Sequence, residues 1–148
     1  GLGALGSGYG AGYVAGEACR SIAENPHATN RTLFTMLIGQ ALSQSTVIYA
    51  LIIALMLWIM DFGYGEKQTL AASISWMAKL VGAGLSAGLG AIGPGLGTAQ
   101  ACGDAAAATG RYPENSAKIS NLMLVGSAVS QTTSIYALVI SLLLMFVA

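Results

Sequence analysis

SQSTVIYALIIALML, at residues 43–57, returns as SQTTSIYALVISLLL at residues 130–144. The offset is 131 − 44 = 87 residues. Working outward from this stretch, the same offset places Pro26 on Pro113, and Gly16 and Glu17 on Gly103 and Asp104. It also places Gly6, Gly8 and Gly10 on Gly93, Gly95 and Gly97. No gap is needed, so one unit has been duplicated in tandem. The quoted stretches lie in spans that contain no charge: residues 32–60, 80–103 and 119–148. A membrane crossing needs about 20 apolar residues, and each of these spans exceeds that. The 148-residue chain is 55% hydrophobic and 8% charged, with a mean hydropathy of +0.68. A soluble domain carries about 25% charged residues. The composition therefore excludes a water-covered domain.

The duplicated unit is a pair of helices. Asn25-Pro26 and Tyr112-Pro113 mark the turns, because proline ends one helix and opens the next. Helices are expected over about residues 1–24, 31–60, 69–109 and 115–148. The fold expected is an all-α membrane protein of two tandem transmembrane helical hairpins. The first hairpin covers residues 1–60, an outer-side linker covers 61–68, and the second hairpin covers 69–148. The second copy has a further stretch before its glycine run that the first lacks, so the first helix reads as truncated at its N-terminus. No basic segment precedes the apolar start, so no cleavable signal peptide is read.

The two short loops, 25–30 and 110–114, share one side of the membrane. Arg20, Arg31, Arg111 and Lys118 flank them, against Lys67 and Lys79 on the other side. This excess of basic residues puts the short loops in the cytoplasm. Trp58, Tyr64 and Trp76 then form an aromatic belt at the outer interface. Net charge is zero, and nothing points to nucleic acid.

Both glycine runs, GLGALGSGYG at 1–10 and GLGAIGPGLG at 88–97, contain GxGxxG. A dinucleotide fingerprint needs a strand before the glycines. Here they lie within apolar stretches, where lipid forces the backbone into a helix. The membrane explains them directly: small residues let helices approach closely. Gly8, Gly12 and Gly16 have the small-xxx-small spacing, as do Gly84 and Gly88, and Gly93 and Gly97. The glycines are too many for one face. The first helix of each hairpin therefore suits an inner layer touched on every side. The second, with LIIALMLW and LVISLLLMF, suits an outer, lipid-facing layer. Thin inside and bulky outside is the geometry of hairpins assembling into a ring. Pro94, where the first copy has Ser7, is expected to kink its helix. Cys19 and Cys102 are not repeat-equivalent and read as free thiols. His27 is the only histidine and reads as a loop surface residue.

AIGPGLGTAQACGDA, the short loop with Arg111 and Pro113, and TTSIYALVISLLLMF together resemble the c subunit (proteolipid) of rotary ATP synthases and ion-translocating ATPases. GQALSQSTVIYALIIALML in the first copy resembles the sodium-type pattern GQAxAESTxIY. The likeness covers nearly the whole chain as two fused hairpins, a four-helix form. It implies a ring of c subunits turning in the membrane lipid against a stator a subunit, with central stalk subunits docked on the short loops. Asn25, Pro26, Arg111 and Pro113 are the loop residues that this docking implies. The chain would be a non-catalytic part of the complex with no cofactor, the transported ion being Na+ or H+.

The family's ion-carrying carboxylate falls on Gln44 and Gln131. Each is the thirteenth residue of its uncharged span, about 19 Å in at 1.5 Å per residue. The polar set around it is retained: Ser45, Thr46 and Tyr49 in the first copy, and Thr132, Thr133 and Tyr136 in the second. The family's glutamine ligand on the first helix falls on Ala11 and Thr98. Glutamine imitates only the neutral state of a carboxylate; it releases no proton and offers sodium no charge. Three explanations stand open. The chain sits in a mixed ring in which other c subunits supply carboxylates; or glutamine stands where the protein carries glutamate; or the chain is a specialised relative, a structural ring proteolipid or passive pore without ion coupling. A carrier moved to Glu17 and Asp104, the only repeated acids, belongs with the last; as a plainer reading, both acids are solvated helix ends. A stand-alone carrier fits poorly, because the two repeats are parallel rather than inverted.

Overall fold

The computed structural model describes residues 1–59 and 69–146. Among the described residues there are five α-helices: α1 (Leu2–Glu24), α2 (Thr29–Ile59), α3 (Leu70–Gly90), α4 (Ile92–Arg111) and α5 (Ser116–Phe146). The expected linker at 61–68, with Tyr64 and Lys67, lies outside the described residues. Among the described residues, three helical segments are long and apolar enough to cross a membrane: Pro26–Ile59, Leu70–Arg111 and Pro113–Phe146. α1 has 23 residues, about 34 Å of helix, and runs alongside α4 in the most extensive helix contact of the molecule. The chain is an integral membrane protein built of two tandem helical hairpins.

Both short turns form as the prolines dictate. α1 is capped by Asn25 and α4 by Tyr112, which leave the helical region with φ of −140° and −132° respectively. A single 3-10 turn follows, Pro26–Ala28 in one copy and Pro113–Asn115 in the other. The next helix therefore begins at Thr29, slightly earlier than the expected 31. The expected helix over 69–109 is interrupted at Ala91 and runs on to Arg111. Pro94 has no N–H to offer the carbonyl one turn back, so the ladder breaks one turn before it. Regular helix resumes with Gly95 N–H on the Ala91 carbonyl at 3.2 Å.

The helices form two layers. The inner layer is α1 beside α4, with α3 continuing α4 towards the linker end. α1 buries Gly3, Gly6, Ser7, Gly10, Val14, Ala18 and Ser21, one stripe at three- and four-residue steps. Only small residues allow the approach seen here. A Cβ on Gly6 would lie 2.5 Å from the Ile92 carbonyl oxygen, and one on Gly95 would lie 2.7 Å from the Gly6 carbonyl carbon. The other stripe on the same helix is different: a Cβ added at Gly8, Gly12 or Gly16 would have nothing within 4 Å. The outer layer is α2 and α5. α2 lies against both α1 and α4, while α5 lies against α4 and α3. A repeated bond ties each outer helix to its inner partner. Ser43 Oγ donates to the Ser7 carbonyl and Ser130 Oγ to the Pro94 carbonyl, both at 3.4 Å.

At the short-turn end the two hairpins are cross-braced. Ser21 Oγ donates to the Ala106 carbonyl at 3.1 Å, and Asn25 Nδ2 to the Gly110 carbonyl at 2.8 Å. The Arg31 guanidinium donates to the Pro113 carbonyl. Each bond joins one copy of the repeat to the other. The two cysteines are free, Cys19 exposed and Cys102 buried, the latter with Sγ 3.4 Å from Ser127 Oγ.

Candidate functional site

The two mid-membrane glutamines have different surroundings. Gln131, on α5, reaches across the seam between hairpins to α2. Its Nε2 donates to the Leu42 carbonyl at 2.6 Å, and its Oε1 accepts from Ser45 Oγ at 2.7 Å. Ser45 Oγ is also 2.7 Å from the Leu42 carbonyl. Ser45 has one proton for these two acceptors; given to Oε1, it leaves the Leu42 carbonyl to the Gln131 amide. Leu42 is three residues before Ser45, on the same helix face, which is why hydroxyl and carbonyl stand together. An amide fits this pair because it is donor and acceptor at once. An ionised carboxylate has no donor for the carbonyl, so in its place a proton would have to be taken up, or a cation would have to lie between the oxygens.

Gln44 has no such seat. It is exposed on α2 and makes no hydrogen bond among the described residues. The expected shell therefore assembles differently from the spacing within one helix. Ser45 serves the glutamine of the other hairpin. Thr46 is buried and returns its hydroxyl to the Ser43 carbonyl at 3.3 Å. Thr132 and Thr133 are exposed on α5, bonded to the carbonyls of Val129 at 2.8 Å and Ser130 at 3.2 Å. Tyr136 is exposed and Tyr49 half-buried. Thr98 is fully buried, and its hydroxyl has no partner among the described residues. Ala11 gives its carbonyl to Gln40 Nε2 at 3.3 Å. The sequence reading missed Leu42, whose contribution is a backbone atom and leaves no mark in residue type.

The remaining candidates lie apart from this seam. Glu17 pairs with Arg20 on its own helix at 3.2 Å; the Arg20 side chain is largely exposed, whereas that of Glu17 is only 19% exposed. Asp104 is exposed on α4. Of the loop residues, Asn25 braces the second hairpin, Pro26 and Arg111 are exposed, and Pro113 accepts from Arg31. Trp58 is exposed near the end of α2. Trp76 has the Lys79 ammonium 5.1 Å from its ring centre, an interface-type pairing. No group of three or more histidine, cysteine or acidic residues is placed to hold a metal among the described residues.

Comparison with known proteins agrees with this architecture. The ATP synthase c-subunit family matches the chain twice, at residues 1–57 and 81–144. The ATP synthase c subunit of Petrotoga mobilis is 42% identical over 83 residues, covering 53% of this chain and 86% of that protein. Its counterpart in Mycoplasma mobile is 47% identical over 76 residues, covering 51% of this chain and 76% of that protein. The chloroplastic ATP synthase c subunit of Ostreococcus tauri is 48% identical over 69 residues, covering 47% of this chain and 84% of that protein. Each relative thus accounts for about half of this chain while being matched over most of its own length, as a duplicated hairpin requires. The chain belongs to the ATP synthase c-subunit family, in a form that carries the hairpin twice.

Proposed function

We propose that this chain is a rotor-ring subunit of an ATP synthase or ion-pumping ATPase whose own two ion positions are held neutral by amides. Carboxylate-bearing c subunits in the same ring carry the H+ or Na+. The observation behind this reading is the seat of Gln131. The hydroxyl and carbonyl that would face a carboxylate are retained as Ser45 and Leu42, and an amide satisfies both. The seam keeps the form of an ion position and holds no charge. Its closure needs neither proton nor cation. In the same reading the short turns face the cytoplasm and bear on the central stalk through Asn25, Pro26, Arg111 and Pro113, while a stator a subunit meets the outer helices.

A second reading, a structural ring proteolipid or passive pore, is favoured by the same amide, since a locked site couples nothing. Purification separates the two. An affinity-tagged chain extracted in mild detergent should bring down a soluble ATPase head, a central stalk and a carboxylate-bearing c subunit. Rings of this chain alone, without a head, would refute the rotor reading and leave the structural one.

A further inference from the structure

Between the Gln131 seam and the short turns, α2 and α5 leave a wedge of about 680 Å3 on the outer surface. Its lining changes character along its length. Arg31, Asn30, Ser116, Ser120 and Asn121 line the end at the turns. Phe34, Ile38 and Leu124 line the rest, with the Phe34 ring 62% exposed. Counted from Ser116 at 1.5 Å per residue, Asn121 lies about 8 Å and Leu124 about 12 Å along α5. The change from polar to apolar thus falls within the first turns of the helix, where a bilayer passes from headgroups to hydrocarbon.

The chain does not itself satisfy this polar lining. The side-chain amides of Asn30 and Asn121 and the hydroxyls of Ser116 and Ser120 make no hydrogen bond among the described residues. At the edge of a membrane such groups are costly unless a partner meets them. The repeat does not require them either. Ser120 and Asn121 stand where the first copy has Leu33 and Phe34 (120 − 87 = 33 and 121 − 87 = 34). Among the described residues of the lining, Arg31 is the only charge. It gives one N–H to the Pro113 carbonyl, and the guanidinium fork has further donors. Glu114, two residues before Ser116, is not part of the lining.

We propose that this wedge holds one anionic phospholipid, with its phosphate on the Arg31 guanidinium, its headgroup hydroxyls against Asn30, Ser116 and Asn121, and its chains along Ile38 and Leu124. A phosphodiester carries one negative charge, and a planar fork of donors matches it. A basic pocket between membrane helices is the usual seat of such a headgroup. A zwitterionic lipid would bring an ammonium as well, and the lining has no acid to receive it. A free phosphate would occupy the polar end alone and leave the apolar part uncovered. The chemistry therefore selects an anionic lipid with a hydroxyl-bearing head, of which phosphatidylglycerol is the probe. Bound there, the lipid bridges the two hairpins beside the Arg31–Pro113 bond. The inference needs only that the chain lies in a membrane and does not depend on the rotor reading.

The experiment is native mass spectrometry of the purified protein, in the assembly it forms in mild detergent, with phosphatidylglycerol or phosphatidylcholine of the same chains added. Phosphatidylglycerol should be retained at one per copy, about tenfold more tightly than phosphatidylcholine, the worth of a charged hydrogen bond. Arg31→Gln should abolish this preference. That change also removes the bond to Pro113, so a second variant keeps Arg31. Ser120→Leu with Asn121→Phe places the first copy's residues in the wedge; it should keep the parent's circular dichroism and weaken phosphatidylglycerol about fivefold. Lys118→Gln removes the repeat-equivalent of Arg31, which lies outside the lining, and should change nothing. Equal retention of the two lipids would overturn the proposal, as would a loss with Lys118→Gln equal to that with Arg31→Gln. Displacement of the lipid by glycerol phosphate at equal concentration would show that the headgroup alone binds, and would remove the lipid as occupant. A photo-crosslinker placed at Phe34 in native membranes should capture lipid; capture of a protein subunit instead would overturn the proposal.

Discussion

Replacing Gly95 with alanine tests the inner seam at its tightest point. The added Cβ would stand 2.7 Å from the Gly6 carbonyl carbon and 2.8 Å from the Ser7 nitrogen. Carbon atoms in contact prefer at least about 3.5 Å, so α1 and α4 must part by roughly 0.8 Å. The obstacle is backbone and has no rotamer to escape into. Parting by that much forfeits about a quarter to a half of the dispersion energy along the seam, and overpacking of this kind costs about 1–3 kcal/mol. The Ser21–Ala106 and Asn25–Gly110 bonds span the same pair of helices, and stretching them places the cost at the upper end. Alanine returns about 0.8–1 kcal/mol of helix propensity. The net expectation is a loss of about 2 kcal/mol. Gly82→Ala is the control: its Cβ would meet only Leu144 Cδ1, at 3.6 Å, so it should gain up to about 1 kcal/mol. The assay is denaturant unfolding of the purified chain in detergent, below the concentration at which copies associate, followed by circular dichroism. If Gly95→Ala proves as stable as Gly82→Ala, the close approach of α1 and α4 is wrong.

Three further outcomes are expected. A hydrophobic carbodiimide, which attacks protonated carboxyls in lipid, should leave this chain unlabelled at residues 44 and 131 while labelling ordinary c subunits in the same membrane. Gln131→Glu should become labelled and be protected by sodium, as mass spectrometry of the modified peptide would show, and label at residue 44 or 131 of the unmodified chain would mean that it carries glutamate there. Asn25→Ala removes the 2.8 Å bond to the Gly110 carbonyl and should cost about 0.5–1.5 kcal/mol, read as a lower midpoint in the same unfolding assay. Cysteines at Asn30 and Ser116 should crosslink to stalk subunits, and crosslinks confined to residues 61–68 would reverse the topology.

The hairpins were legible because their signals are local. Uncharged spans, a gapless repeat and Asn-Pro or Tyr-Pro at the turns set the helices in place, and Pro94 announced the break that falls at Ala91. The phase of the inner helices was not legible. Gly8, Gly12 and Gly16 have the spacing of a packing stripe, yet within the chain the stripe through Gly3, Gly6 and Gly10 carries the contact. A helix that is small on all sides has no preferred face, so only its partner sets the rotation. The seat of Gln131 was hidden for a related reason. Its neighbours in sequence, Thr132 and Thr133, point away from it on the helix, and its partners come from residues 86 and 89 positions away. The repeat held this information only once the structure showed which hairpin reaches for which.

The difference between an amide and a carboxylate in that seat bears on what this chain adds to a motor. A carboxylate changes state as its surroundings change: neutral where lipid would penalise a charge, ionised beside a cationic partner. An amide has one state in both places. On the rotor reading, each copy adds two hairpins to the circumference and two positions that exchange nothing. The ions moved per turn then fall below the number of hairpins by two for every copy present. The bonds of Gln131 to Leu42 and Ser45 involve no titrating group, so on the same reading they should be indifferent to pH and sodium, whereas bonds to a carboxylate there would depend on what that group has bound. Substituting glutamate at residue 131 should therefore do two things together: make an ion position, and make the seam sensitive to sodium and pH. A variant that gained ion-dependent labelling without gaining an ion-dependent unfolding midpoint would show that Gln131 does not hold the hairpins together, and would separate the site from the seam.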